Sequence, residues 1–225
     1  MLKNSEKDLL VSLIIGDGCI AKDKNFNSYY IYIGHGENQK DYCEWKLDLL
    51  NNSHIFDNEI KIKSKLCGKD KKYLQYYFKK TNFCLKYIYD LIIFDKKKNI
   101  KNVLKMLKSN RSIAIWFMDD GGVEPSRSKR VDGSIYYGRP SIKLCTHCFS
   151  EKENYEILKW FKIKYNIECQ VKSETKRNRE GQPKYYYLKF NADNTEKLYK
   201  NILKDYINCC DSMKHKFRYI LNYYN

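Results

Sequence analysis

The sequence predicts an α/β (α+β) protein of two pseudo-symmetric αββαββα halves. Three observations carry this. A nearly all-apolar run ending in Asp-Gly occurs twice, at Leu9–Gly18 and Ile113–Gly121, placing Asp17 and Asp120 in matching positions. The segments after each run repeat the same order of strand-like and helix-like patterns. Several segments alternate apolar and polar residues with the period of two expected of half-buried strands.

In chain order, Ser5-Glu6-Lys7-Asp8 reads as a capping box opening a helix through Leu9–Ile15. The run is apolar on all sides, so the helix is expected to be buried, with Gly18 as its C-cap. Ser28–Ile33 reads as a strand and Lys40–Leu50 as an amphipathic helix. Glu59–Leu66 alternates isoleucine with lysine and reads as a strand, as does Tyr73–Phe78; Asn82–Phe94 reads as a helix. The second half opens with the helix Ser112–Met118. Ser134–Tyr137 and Ser141–Thr146 read as strands, and Ser150-Glu151-Lys152-Glu153 caps a helix to Tyr165. Cys169–Glu174 and Lys184–Phe190 form a strand pair. Asp193–Glu196 caps a helix to Lys204, and Ser212–Tyr223 is the last helix. The expected division is 1–100, a linker at 101–110, and 111–225.

The 225 residues carry 43 Lys+Arg against 27 Asp+Glu, a net charge of +16. Basic residues are spread along the whole chain, which favours a polyanionic partner, nucleic acid first. Aromatics at 15% argue against disorder. No run of eighteen apolar residues occurs, so no membrane partner is expected. The charged N-terminal pattern lacks the features of a secretory signal, which predicts an intracellular protein. The AT-rich codons of its abundant Lys, Asn, Ile and Tyr point to an organelle such as a mitochondrion or chloroplast. Nine cysteines, an odd number, read as free thiols rather than a disulfide framework. Cys145-Thr146-His147-Cys148 is a lone CxxC without a second pair, so zinc is not expected.

The chemistry lies in Asp17 and Asp120. A helix C-terminus carries partial negative charge, so an aspartate there calls for a positive partner. If the two buried helices pack side by side, two carboxylates and two negative helix ends converge, and a divalent cation resolves the repulsion. Hard oxygen ligands suit Mg²⁺, or Mn²⁺. Ser12 and Gly16, small and four residues apart, would let the helix backbones approach closely.

The stretches Leu10–Gly18 and Ile113–Gly121, the second reading Trp-Phe-Met-Asp-Asp-Gly, resemble the paired signature of two-motif, single-chain LAGLIDADG homing endonucleases. The similarity continues through Ser141–Thr146, Phe149-Ser150 and Ser212–Phe217, covering most of the chain. Motif two has Ile115 and Asp119 where motif one has Ser12 and Gly16, so the motifs are not interchangeable. The resemblance implies a monomer whose antiparallel sheets form a DNA-binding saddle. It implies a site-specific double-strand DNA endonuclease that hydrolyses phosphodiester bonds with Mg²⁺ or Mn²⁺ and leaves short 3′ overhangs. Matching the motifs assigns Asp17 and Asp120 as catalytic metal ligands, with Gly16 and Asp119 beside them in the metal set; Asp119 aligns with Gly16 and reads as a supporting or capping carboxylate rather than a primary ligand. The family's late basic residue falls on Lys216 in the second half and Lys98 in the first, with Lys97 as the alternative to Lys98. An intron-RNA maturase, or a non-cleaving DNA-binding protein, could use the same scaffold; neither needs both acids, and both are present. No flanking splicing segment is read, so an intein is not expected.

Base recognition is then assigned to the polar strand faces, because antiparallel ribbons fit the major groove. In the first half these are Tyr30, Tyr32, Lys61, Lys63, Lys65, Gln75 and Tyr77. In the second half they are Lys143, Gln170, Lys172, Tyr187 and Lys189. Arg127, Arg130 and Arg139, in the basic segment Ser126–Arg139, and Arg177 and Arg179, in the loop Lys176–Lys184, are expected to touch phosphates, which position rather than specify.

Overall fold

The structure, a computed structural model, describes residues 2–23, 28–68, 72–174 and 184–224. It divides into two units, Met1–Asp119 with Ile207–Met213, and Asp120–Tyr206 with Lys214–Asn225. No helix of the described residues is long and apolar enough to cross a membrane.

The first unit begins with α1 (Asn4–Ile15), buried over Asp8–Ile15. The capping box starts earlier than expected: the Glu6 carboxylate accepts the Lys3 backbone N–H at 2.6 Å, so Lys3, not Ser5, is the N-cap. Gly16, not Gly18, is the C-cap. Gly18 is instead fixed by a close approach, since a Cβ there would lie 2.0 Å from the Leu13 carbonyl oxygen. Next come β1 (Cys19–Lys22), too short to show a period, and β2 (Tyr29–Gly36), in which Tyr29, Ile31, Ile33 and His35 point inward. Helix α2 (Lys40–Asn51) buries Tyr42, Cys43, Lys46, Leu47 and Leu50 at helical spacing.

Strand β3 is shorter than its alternation implies, covering Lys63–Cys67 only. The Asn51 side chain takes the place of a strand partner at Ile60, donating to its carbonyl and accepting its N–H, both at 3.0 Å. With those groups satisfied, 59–62 has no need of the sheet, and Lys61 lies before the strand. Strand β4 (Tyr73–Thr81) and α3 (Cys84–Ile92) follow. The expected extension of α3 to Phe94 is broken by a hairpin, β5 (Ile93–Phe94) and β6 (Lys97–Lys98), whose two turn residues Asp95 and Lys96 have φ of 47° and 60°. Such a two-residue turn needs positive φ at both positions and matches strand twist. The stretch expected as a linker carries α4 (Ile100–Met106), because Ile100, Val103, Leu104 and Leu107 form a buried stripe. Helix α5 (Asn110–Asp120) closes the series. Its approach is pinned by buried Asp8, which accepts the Lys108 N–H at 2.7 Å and the Ser109 hydroxyl at 2.6 Å. The antiparallel sheet has the order β1-β2-β4-β3.

The second unit holds β7 (Gly121–Lys129), β8 (Ile135–Cys145), α6 (Glu151–Tyr165), β9 (Gln170–Glu174), β10 (Tyr185–Phe190) and α7 (Ala192–Leu198). A π turn at 199–203 carries the chain on into α8 (Lys204–Ile207), before α9 (Asp211–Tyr224). The order β7-β8-β10-β9 repeats that of the first unit. Ser150 and Glu153 form the expected capping box. Helix α7 starts at Asn191, whose side chain accepts the Asn194 N–H, rather than at Asp193. The two strand segments expected over 134–146 are one strand with a bulge. Glu124 pairs with Ser141 but Ser126 pairs with Gly138, so β8 carries one extra residue near Arg139 and Pro140. The bulge absorbs a proline that cannot donate to the ladder, and the break in the period is what split the strand in the sequence reading.

Candidate active site and strand faces

The first centre lies where α1 ends. Helix α1 stops at Ile15, so Asp17 stands just beyond it and is exposed. The β5–β6 hairpin aims Lys98 at the same helix end: its ammonium donates to the Ile15 carbonyl at 2.6 Å and to the Gly16 carbonyl at 3.4 Å. This cation compensates the negative helix terminus beside Asp17. Lys97, one residue away, is exposed and pairs across the hairpin with Phe94.

Behind Asp17 lies a buried polar network around Asp119, whose other members, Lys46, Tyr42 and His35, the sequence reading missed. Asp119 Oδ2 accepts the Asp17 backbone N–H at 3.1 Å. Asp119 Oδ1 accepts from the Lys46 ammonium at 2.5 Å and from the Tyr42 hydroxyl at 2.8 Å. The Lys46 and Asp119 side chains are both fully buried. Lys46 also lies 3.2 Å from His35 Nε2, and His35 Nδ1 lies 3.7 Å from Asp17 Oδ2. Burial first, and then the Asp119 charge, raise the Tyr42 phenol well above its ordinary range, so it stays a donor. A signal was present: Lys46 falls on the apolar stripe of α2, and His35 continues the inward alternation of Ile31 and Ile33. Gly16 is explained as well, because a Cβ there would lie 2.4 Å from Asp119 Cβ. The small residue of motif one and the carboxylate of motif two fit each other.

Asp17, His35 and Asp119 each bring a potential ligand atom within 4.8 Å of the others. Asp17 and the Gly16 carbonyl offer hard oxygen donors of the kind Mg²⁺ takes. In the second unit Asp120 is half-buried at the end of α5. Burial raises the Cys145 thiol; of the charges around it, Lys143 and Lys216 act to lower it and Asp120 and Glu174 to raise it. Asp120 and Lys216, paired in the sequence reading, therefore share one electrostatic neighbourhood at the end of β8.

The register puts most of the expected recognition residues together. Tyr30, Tyr32, Tyr77, Gln75, Lys63 and Lys65 share the outer face of the first sheet, with Lys63 opposite Tyr77 and Lys65 opposite Gln75. Tyr32 stacks on Tyr77 at 5.4 Å and its hydroxyl donates to Gln75 at 2.9 Å. Lys65 sits over both rings, 5.1 Å and 5.0 Å from their centroids, and the Tyr32 hydroxyl raises its pKa. Lys79, opposite Tyr32 and 4.0 Å from the centroid of Tyr30, belongs to this face and was missed because β4 runs past Phe78. In the second sheet Lys143, Lys189, Tyr187, Lys172 and Gln170 share the outer face. Lys143 and Lys189 oppose each other, and Glu124, also missed, pairs with Lys189 at 2.7 Å. That contact raises the Lys189 pKa.

One arginine expectation changes. Arg139, at the bulge, pairs with Asp193 at 2.6 Å and Glu196 at 2.8 Å, so it meets two carboxylates of its own unit rather than standing alone toward phosphate. Arg130 is exposed over the Tyr136 ring. Arg127 lies in β7. Arg177 and Arg179 lie outside the described residues.

Residues 7–198 match the model of the LAGLIDADG DNA endonuclease family. The homing endonuclease I-WcaI, solved bound to its DNA recognition sequence, superposes with a TM-score of 0.70 at 22% identity, over 96% of this chain and 87% of that one. A variant of I-DmoI, solved with its target DNA in the presence of Mg, gives 0.50 at 16% identity, over 88% and 94%. These two likenesses establish the fold. Protein RecA of Mycobacterium gastri is 26% identical over 157 residues, 67% of this chain and 34% of RecA. The chain thus spans about a third of the length of that curated relative. With matching motifs, matching sheets and a family model spanning both units, the chain belongs to the LAGLIDADG DNA endonuclease family.

Proposed function

We propose that the chain is a site-specific endonuclease that cuts both strands of a duplex target and leaves short 3′ overhangs, working as a monomer. The observation that carries this reading is the first centre, where Asp17 stands at the end of a motif helix with Lys98 against that helix end, in the unit whose sheet face is rich in Lys, Tyr and Gln. Asp17 with Lys98 serves one strand, and Asp120 with Lys216 the other. Asp17 with the Gly16 carbonyl, and Asp120 in the second unit, would hold Mg²⁺ or Mn²⁺. A bound divalent ion would polarise the phosphate, lower the pKa of the attacking water and stabilise the leaving 3′ oxygen. Each lysine offsets negative charge developing at the phosphate. The outer faces supply base contacts through Gln75, Gln170 and the lysine–tyrosine pairs, while exposed arginines position the backbone.

Binding draws on the +16 charge and needs the metal less than cutting does. EDTA is expected to abolish cutting while a retarded protein–DNA band persists in the gel. Full cutting in EDTA would remove the metal from the mechanism.

A further inference from the structure

We propose that Asp119, Lys46 and His35 are positioning residues for the first centre: Asp119 anchors the Asp17 backbone, and His35 orients its carboxylate. The proposal rests on the nuclease reading above. Asp17 stands beyond the last turn of α1, where helical hydrogen bonding no longer fixes the backbone. Its N–H is held at 3.1 Å by a carboxylate donated by the other motif. That carboxylate is itself immobilised by Lys46 and Tyr42 on its second oxygen. Such a bond is charge-assisted and sits in a buried environment, where it holds geometry tightly. His35 is 3% exposed, its ring packs against Tyr42 with centroids 4.9 Å apart, and it spans from Lys46 to Asp17. The ring therefore cannot swing away, and the rotamer of Asp17 is read against a fixed group.

The arrangement also explains an asymmetry in the two motifs. At the position before the acid, motif one has Gly16 and motif two has Asp119, and the glycine leaves the space the carboxylate fills. One motif thus supplies the clamp for the acid of the other. A buried ion pair is weak evidence of a stability role, because a well-packed apolar pair often does as well. Its retention beside an active carboxylate is accounted for by geometry.

The test is cleavage of a supercoiled plasmid bearing the selected site, with the nicked strand mapped, using two variants. His35→Phe keeps the ring and removes Nδ1. Lys46→Met with Asp119→Leu replaces the ion pair by apolar side chains and removes the anchor of the Asp17 N–H. Both variants are expected to keep cooperative unfolding and DNA affinity in EDTA. Both should accumulate nicked circles, with the cut on one and the same strand slowed by about tenfold or more, the usual scale for supporting groups around a metal ligand. A wild-type ratio of the two strand rates would overturn the proposal. So would an equal fall in both rates together with affinity, which marks a merely structural role. Failure of the wild-type protein to cut at all would instead remove the nuclease reading.

Discussion

On the proposal that each holds a catalytic metal, Asp17→Asn and Asp120→Asn are each expected to slow cleavage at least about a hundredfold. The substitution is close to isosteric, and it removes negative charge next to a negative helix end, so fold and DNA affinity should persist. Asp17 is exposed and Asp120 half-buried, so neither change leaves a deeply buried polar atom stranded. Single-turnover cleavage of a labelled duplex, run beside a gel-shift titration, separates rate from affinity. If Asp119→Asn slowed cleavage more than Asp120→Asn while leaving stability unchanged, the catalytic role in motif two would move one residue toward the N-terminus.

Lys46→Met is expected to cost about 3–5 kcal/mol of stability, the cost of breaking a fully buried pair by removing one partner. The Lys46 and Asp119 side chains are both sealed from solvent, and Lys46 supplies a full positive charge to Asp119 at 2.5 Å. Methionine fills the volume but removes that cation from a buried carboxylate that also accepts from the Tyr42 hydroxyl and the Asp17 N–H. Adding Asp119→Leu should recover most of the loss, since the stranded charge goes with it. Urea unfolding followed by circular dichroism measures both. A single-variant loss below about 1 kcal/mol would mean that water or another group reaches Asp119.

The αββαββα repeat was legible because buried helices and half-buried strands write their periods directly. Ile31, Ile33, Leu144 and Leu188 mark inner faces, and the outer face follows by alternation. What was not legible depended on contacts distant in sequence. Nothing near Ile60 announces that Asn51 will satisfy its backbone, so β3 was drawn too long. Arg139 looked like a free cation because Asp193 and Glu196 lie more than fifty residues further on. Lys98 was read, with Lys97 as the alternative, from the family's late basic residue, but its contact with the end of α1 needed the β5–β6 turn, whose Asp95 and Lys96 show no glycine signal. Lys46 and His35 were hidden by their own regularity, as polar residues occupying inward positions of elements otherwise correctly read. The Asp119 role required the packing of Gly16 against it, which no single motif contains.

The central claim is tested most directly by incubating the protein with a randomised duplex library in Mg²⁺ and sequencing the cut ends. The account predicts one enriched target, cut on both strands with a short 3′ overhang. Absence of cutting, accompanied by tight binding to structured RNA, would contradict it.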